Sequence, residues 1–223
     1  MSGSSPGRSI NHTTTLRRPG VVPYITAWSE EQSASPLLVP AHGGRGVGYL
    51  DEHLYDRDQE GVLWRRIPSK QGRGRPDFVR VHALRQRRVM RRLLCQVCGR
   101  PADRNEQGVL WLMSDYRDDW EDWPEGMVTP HPPVCLPCAA ISTQSCPHLR
   151  KQFAAVRVKE PEITGVYGAR YDPRNFVLGP VDDATMNYGD PGIYWVIASQ
   201  LVMGLYGCTL VDLDAELAAY AQR

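Results

Sequence analysis

Four cysteines constrain this chain more than any other feature. Cys95 and Cys98 fall in "LCQVCGRP", Cys135 and Cys138 in "PPVCLPCAA": two C-x-x-C pairs with 36 residues between them. A two-residue spacing lets both sulfurs of one tight turn point at a single ion. Four soft thiolates are the preferred tetrahedral donor set for zinc, with an iron–sulfur cluster as the minor alternative. Gly99, directly after the first pair, can take the positive φ that closes such a turn. No glycine follows the second pair, and "CLPCAAIS" reads as the first turn of a helix, where free N–H groups favour thiolate. A shell of four cysteines leaves no position for water, so the expected metal is structural. Cys146, His148 and His131 lie close enough in sequence to replace a thiolate, but read first as bystanders. The opening "MSGSSPGRSINHTTT" contains no apolar signal core. A reducing, cytoplasmic location is therefore expected, in which paired thiols bind metal rather than form disulfides.

Around these pairs the chain reads as α+β. Residues 1–20 are a polar arm. Residues 21–77 are β-rich, with strand-like "VVPYITAW", "GVGYLDEHLYD" and "GVLWRRI", and end in the basic loop "PSKQGRGRPD". Residues 78–152 hold a basic helix and the metal module, with "GVLWLMSDY" as a strand and an acidic loop at 117–127 carrying Trp120 and Trp123. Residues 153–223 form a small α+β unit of three short strands, an apolar helix at 192–206 and a closing amphipathic helix capped by Thr209 or Asp212. Residues 192–211 are twenty without a charge. That is long enough to span a bilayer, but the flanks are Asp190 and Asp212 rather than cationic anchors, so a buried helix and no membrane are expected.

Arrangement of the first pair, a hairpin and a helix bearing the second pair resembles the treble-clef zinc finger over residues 95–152. HNH-type nucleases share that scaffold, and the resemblance implies a His-bearing hairpin. Here the hairpin "VLWLMSDYRDDW" has no His, and His131 lies near the wrong end, so no catalytic set is carried over. Zinc deaminases are excluded more firmly, since "HAL" at His82 lacks the required Glu.

Net charge is only +1, yet residues 65–92 hold eleven basic side chains against one acid, Asp77. Residues 175–222 hold six acids and no Lys or Arg. Such asymmetry points to a polyanion-binding face or to the two segments packing together. Arg73-Gly74-Arg75-Pro76 resembles the core of an AT-hook, with Gly72 where the family has Pro, which implies an extended arm in the minor groove. Helical spacing puts Arg85, Arg88 and Arg92 on one face, suited to phosphate. The reading that follows is a zinc-stabilised nucleic-acid-binding protein, DNA first, regulatory or accessory in role, contacting its target through Arg73, Arg75, Arg85, Arg88 and Arg92, with no catalytic residue assigned. Its alternatives are an adaptor that meets an acidic protein partner and displays Trp120 and Trp123, and a degenerate HNH-like nuclease. The acidic cluster Asp51, Glu52, His53, Asp56, Asp58 and Glu60 reads as a charged turn, because the last position of a calcium loop would be Ile67.

Overall fold

A computed structural model describes residues 20–32, 36–150 and 152–222. The expected arm at 1–20 lies outside them except for Gly20. In chain order the strands are β1 (Thr26–Trp28), β2 (Leu38–Ala41), β3 (Gly46–Tyr49), β4 (Leu63–Trp64), β5 (Pro76–Val81), β6 (Arg104–Asn105), β7 (Gly108–Met113), β8 (Val128–Thr129), β9 (Ala154–Arg170), β10 (Asp182–Asn187) and β11 (Val196–Val211). The helices are α1 (Ala83–Arg92), α2 (Leu136–Ser145) and α3 (Leu213–Ala221). The fold is α+β with a larger mixed sheet.

That sheet is seven-stranded, in the order β4-β11-β9-β7-β6, with β10 added to β9 and β8 to β11. The single parallel pairing in it sets Leu63 and Trp64 against Ile197 and Ala198. Its strands come from all three segments that follow the arm. Two small ribbons, β1–β5 and β2–β3, complete the β structure among the described residues.

Both faces of the sheet are covered, and β7 shows how. Val109, Trp111 and Met113 enter one core together with Ala83 and Met90 of α1. Leu110 and Leu112 enter the opposite core with Leu136 and Ala139 of α2 and Leu213 of α3. The period-two alternation of strand side chains thus appears as two apolar faces rather than one apolar and one polar. Buried polar groups tie the layers. The Gln86 amide donates to Leu201 O at 2.9 Å and to Pro130 O at 2.8 Å, and accepts from Leu201 N at 2.9 Å. Arg157, fully buried on β9, pairs with Asp103 at 2.7 Å and with Glu216 of α3 at 2.5 Å.

Two expectations are corrected. The apolar run at 192–206 is not a helix. A short 3-10 turn (Pro191–Trp195) leads into the sixteen-residue strand β11. Its β-branched residues Val196, Ile197 and Val202 suit a strand. Because the first ten residues of β11 touch protein on both faces, they lack the alternation that marks a half-exposed strand. The three short strands expected after 153 are also different: the first two are one strand, β9, which passes through Pro161. Opposite Pro161, Leu205 turns its N–H to Met127 O and its C=O to Gly126 N. The pair is therefore a non-hydrogen-bonded one, and the proline nitrogen faces the gap between the β7 and β10 partners of β9. The third segment is a 3-10 turn (Phe176–Leu178) followed by β10. Among the described residues no helix is long and apolar enough to cross a membrane.

Close approach sets one glycine. Gly108 opens β7 at φ 117°, and a Cβ there would sit 2.1 Å from Val158 O of β9. Gly108→Ala is expected to destabilise by about 2–4 kcal/mol, through backbone strain and displacement of β9. Urea denaturation checks this, and an unchanged midpoint would show that the turn has room to move.

Candidate metal centre

The four cysteines come together on the α2–α3 side of the sheet. Leu93 ends α1 in the left-handed conformation, φ 49°, and turns the chain into an antiparallel bridge between Leu94 and Pro101. Inside that bridge the Cys95 N–H donates to Arg100 O at 2.7 Å and the Gly99 N–H to Cys95 O at 2.8 Å. Gly99 has φ 72°, as its place after the first pair requires, and the ring of Tyr24 packs against its Cα face. Tyr24 and Ile25 donate their N–H groups to Val97 and Gln96, so the segment before β1 braces the turn. After the β6–β7 hairpin, Cys135 stands as the extended N-cap residue of α2, with Pro137 and Cys138 in its first turn.

All four sulfurs lie within 4.8 Å of one another, and Cys98 Sγ is 3.8 Å from Cys135 Sγ. A tetrahedral ion with metal–sulfur bonds of about 2.3 Å needs sulfur–sulfur edges of about 3.8 Å. The cluster is thus built to the size of one ion. Cys95 and Cys138 are buried, Cys98 and Cys135 partly so.

The electrostatics of the thiols point the same way. The Cys135 thiol donates to Cys95 and overcomes burial. With the Val97 N–H 3.4 Å from its sulfur, Cys95 is held down at about 5. Cys135 moves far up because its proton is held in that bond. Cys138 is pushed up to about 12 by burial and by the charge on Cys95. Four thiols this close cannot all carry charge in so small a volume without a cation beside them. The exposed guanidinium of Arg100, its pKa raised chiefly by a hydrogen bond to Cys98, adds positive charge at the rim. This is a buried four-cysteine cluster able to chelate a metal ion. Cys146, His148 and His131 do not belong to it. With four sulfurs around the ion no coordination position is left for substrate.

The five arginines expected to contact nucleic acid are not brought together. Arg73 and Arg75 are exposed in the loop between β4 and β5, alternating with Gly72 and Gly74 at φ 81° and 77°. That loop is a folded turn and not the extended arm that an AT-hook implies. The Arg73 N–H donates to Lys70 O, while Arg75 bonds through its N–H to Ser29 Oγ and through its C=O to the Ser29 N–H. Arg88 and Arg92 are exposed on α1 together with Leu84 and Arg91. Arg85 does not share their face. It is 5 % exposed, donates to both carboxylate oxygens of Glu31 at 2.7 Å and to Thr26 O at 2.8 Å, and anchors α1 to β1. The buried side of the helix is Ala83, Arg85, Gln86, Val89 and Met90, so the Arg85 charge meets Glu31 inside the protein and not solvent. Arg91 is the exposed cation that helical spacing from Arg85 misses.

The acidic clusters are accounted for locally. Asp51 and Asp56 pair with Arg66, Glu52 pairs with Arg57, and Asp58 accepts from Trp64 and Tyr188. In the acidic loop Asp115 pairs with Arg117, and Glu125 accepts from the N–H groups of Gly207 and Cys208. Trp123 folds into the core, so of the two Trp that the adaptor alternative would display only Trp120, 43 % exposed, stands at the surface. Comparison with protein-family models, curated proteins and solved structures gives no match to this chain.

Proposed function

We propose that this chain is a nucleic-acid-binding protein, with DNA as its target, and that the metal is a zinc ion that holds the binding surface in shape. The observation that carries the reading is the lack of counter-charges along residues 65–92. Of the eleven cations there, Arg66, Arg80 and Arg85 have carboxylate partners. The other eight have none within 4.0 Å among the described residues, and Arg88, Arg91 and Arg92 line the open face of α1. The nearby acidic loop makes no ion pair with that face, so self-neutralisation does not account for it. The turn with the first pair, the hairpin, and the helix with the second pair follow the order of a treble-clef finger, and we read the centre as one. Reduced, metal-holding thiols suit a cytoplasmic setting. Nuclease chemistry is left out of the proposal: the β6–β7 hairpin offers no His to act as general base.

Fluorescence anisotropy with a labelled duplex between about 50 and 200 mM salt tests the reading. Binding is expected to weaken steeply with salt. Replacing Arg88, Arg91 and Arg92 together by Gln is expected to lower the slope of log K against log salt by about two to three. No binding at the lowest salt would end this reading. The adaptor reading would then stand, supported by Trp120, exposed beside the carboxylates of its loop.

A further inference from the structure

Arg87 is not among the five arginines singled out from the sequence, yet its setting is the most prepared of the unpaired cations. Its guanidinium lies over the Trp64 ring, 3.9 Å from the centroid. Trp64 is itself fixed, because its Nε1 donates to Asp58 Oδ2 at 2.8 Å and the Tyr188 hydroxyl donates to the same oxygen at 3.2 Å. The other oxygen of Asp58 accepts the N–H groups of Glu60 and Val62 at 3.1 and 3.0 Å. Asp58 is thus saturated by the ring, the phenol and the turn. Among the described residues Arg87 has no carboxylate within 4.0 Å and no hydrogen-bond acceptor.

One helical turn on stands Arg91, exposed and likewise without a partner. Burial, and next the like charge of Arg91, lower the Arg87 pKa, with Asp58 and Tyr188 opposing them. Two guanidinium groups at i and i+4 repel in the free protein, and an anion placed between them reverses the sign of that interaction. A guanidinium packed over an indole has already lost part of its rotamer freedom, so less is lost when it binds. Its planar fork matches two oxygens of a phosphate.

We propose that Arg87 and Arg91 form a phosphate-binding pair that grips one phosphodiester of the nucleic-acid backbone, with Arg87, held by Trp64, as the fixed half of the grip. This rests on the nucleic-acid reading and names its anchor. Arg88 and Arg92, on the same exposed side of α1, then take neighbouring phosphates as mobile contacts.

The test compares Arg87→Lys, Arg87→Gln, Arg91→Gln and Arg88→Gln, each zinc-loaded and checked for an unchanged circular dichroism spectrum. Anisotropy is read with the same labelled duplex across salt. Arg87→Gln is expected to weaken binding about tenfold and to lower the salt slope by about one. Arg87→Lys, which keeps the charge but not the fork, is expected to weaken binding nearly as much while holding the slope. Arg88→Gln is expected to cost less than either. If the wild-type protein binds and Arg87→Gln binds equally well, the pair is overturned while the nucleic-acid reading stands. If the wild-type protein does not bind duplex, that reading fails, and the pair is judged on inorganic phosphate alone. The Nε–H resonance of Arg87 is then expected to shift with millimolar phosphate in the wild-type protein and not in Arg91→Gln. A resonance that does not move overturns the pair as well.

Discussion

Removing the metal is expected to unfold far more than the turns that hold it. The four sulfurs join the end of α1, the bridge Leu94–Pro101 and the start of α2, and they pack into the core that also contains Leu110, Leu112 and Leu213. Structural zinc contributes about 10–16 kcal/mol of apparent binding free energy in isolated fingers, comparable with the whole stability of a typical domain, about 5–15 kcal/mol. Purified protein is expected to carry one zinc per chain by elemental analysis. Cys138→Ser is expected to hold well under one, and to melt at least about 10 °C lower, as does wild-type protein stripped by a chelator. Cys146→Ser and Cys208→Ser should keep one zinc, since neither sulfur lies in the cluster. A Cys138→Ser protein with full zinc and an unaltered melt would mean that the four thiols are not the metal site.

The second large effect belongs to a buried ion pair. Glu31 is fully buried and receives Arg85 on both oxygens, with the N–H groups of Trp28 and Lys70 completing the set at 2.9 and 2.8 Å. Glu31→Gln leaves the Arg85 charge buried without a counter-charge, which costs about 3–5 kcal/mol. The melting temperature is then expected to fall by about 6–20 °C. Replacing both residues, as Glu31→Leu with Arg85→Met, should recover part of the loss, because an apolar pair leaves no charge stranded. Burial opposes ionisation of Glu31, but the Arg85 bonds, the two N–H groups and nearby His82 prevail and bring its pKa down from 4.5 to about 2. A folded-state pKa below the unfolded one means that the stabilisation is complete above about pH 4.5 and lost as the pH falls toward 2. The wild-type melt should therefore drop across that window more steeply than that of Glu31→Gln. Asp56, lowered chiefly by its bonds from Arg66, adds to the slope in the same direction. Parallel acid profiles of the two proteins would show that Glu31 is not ionised in the fold.

What the sequence made legible was chemistry that depends on spacing. Cys95, Cys98, Cys135 and Cys138 were readable as one site because ligand geometry demands a short local spacing within each pair, and Gly99 could be assigned its positive φ for the same reason. A helix late in 78–95, a helix opening at the second cysteine pair and a closing helix capped at Thr209 or Asp212 were readable from local pattern as well, and Asp212 is the cap. The apolar run at 192–206 was not, because burial on both sides removes the periodicity that separates strand from helix. The role of Arg85 was hidden for a related reason. Its partner, Glu31, is 54 positions away, and nothing local distinguishes an arginine that will be buried from Arg88, three residues on. Arg87 was likewise unremarkable until Trp64 and Asp58 were brought beneath it by pairing of β4 with the far end of the chain.

That last pairing bears on the order in which the protein can assemble during synthesis. All four thiols have been made by residue 138, and α2 is complete by 145. The knuckle and helix can therefore take up metal while the remainder is still on the ribosome. Strand β7, by contrast, must wait for β9, and Leu63 must wait for Ile197, 134 positions later. Until then Trp111, Leu63 and Trp64 have no sheet to enter. Long-range pairings of this kind slow folding and leave apolar segments open to other chains. The growing chain thus passes through a stage in which all four cysteines have been made and the sheet has not. A metal ion bound at that stage would tie the end of α1 to the start of α2 before the strands that cover them have been made.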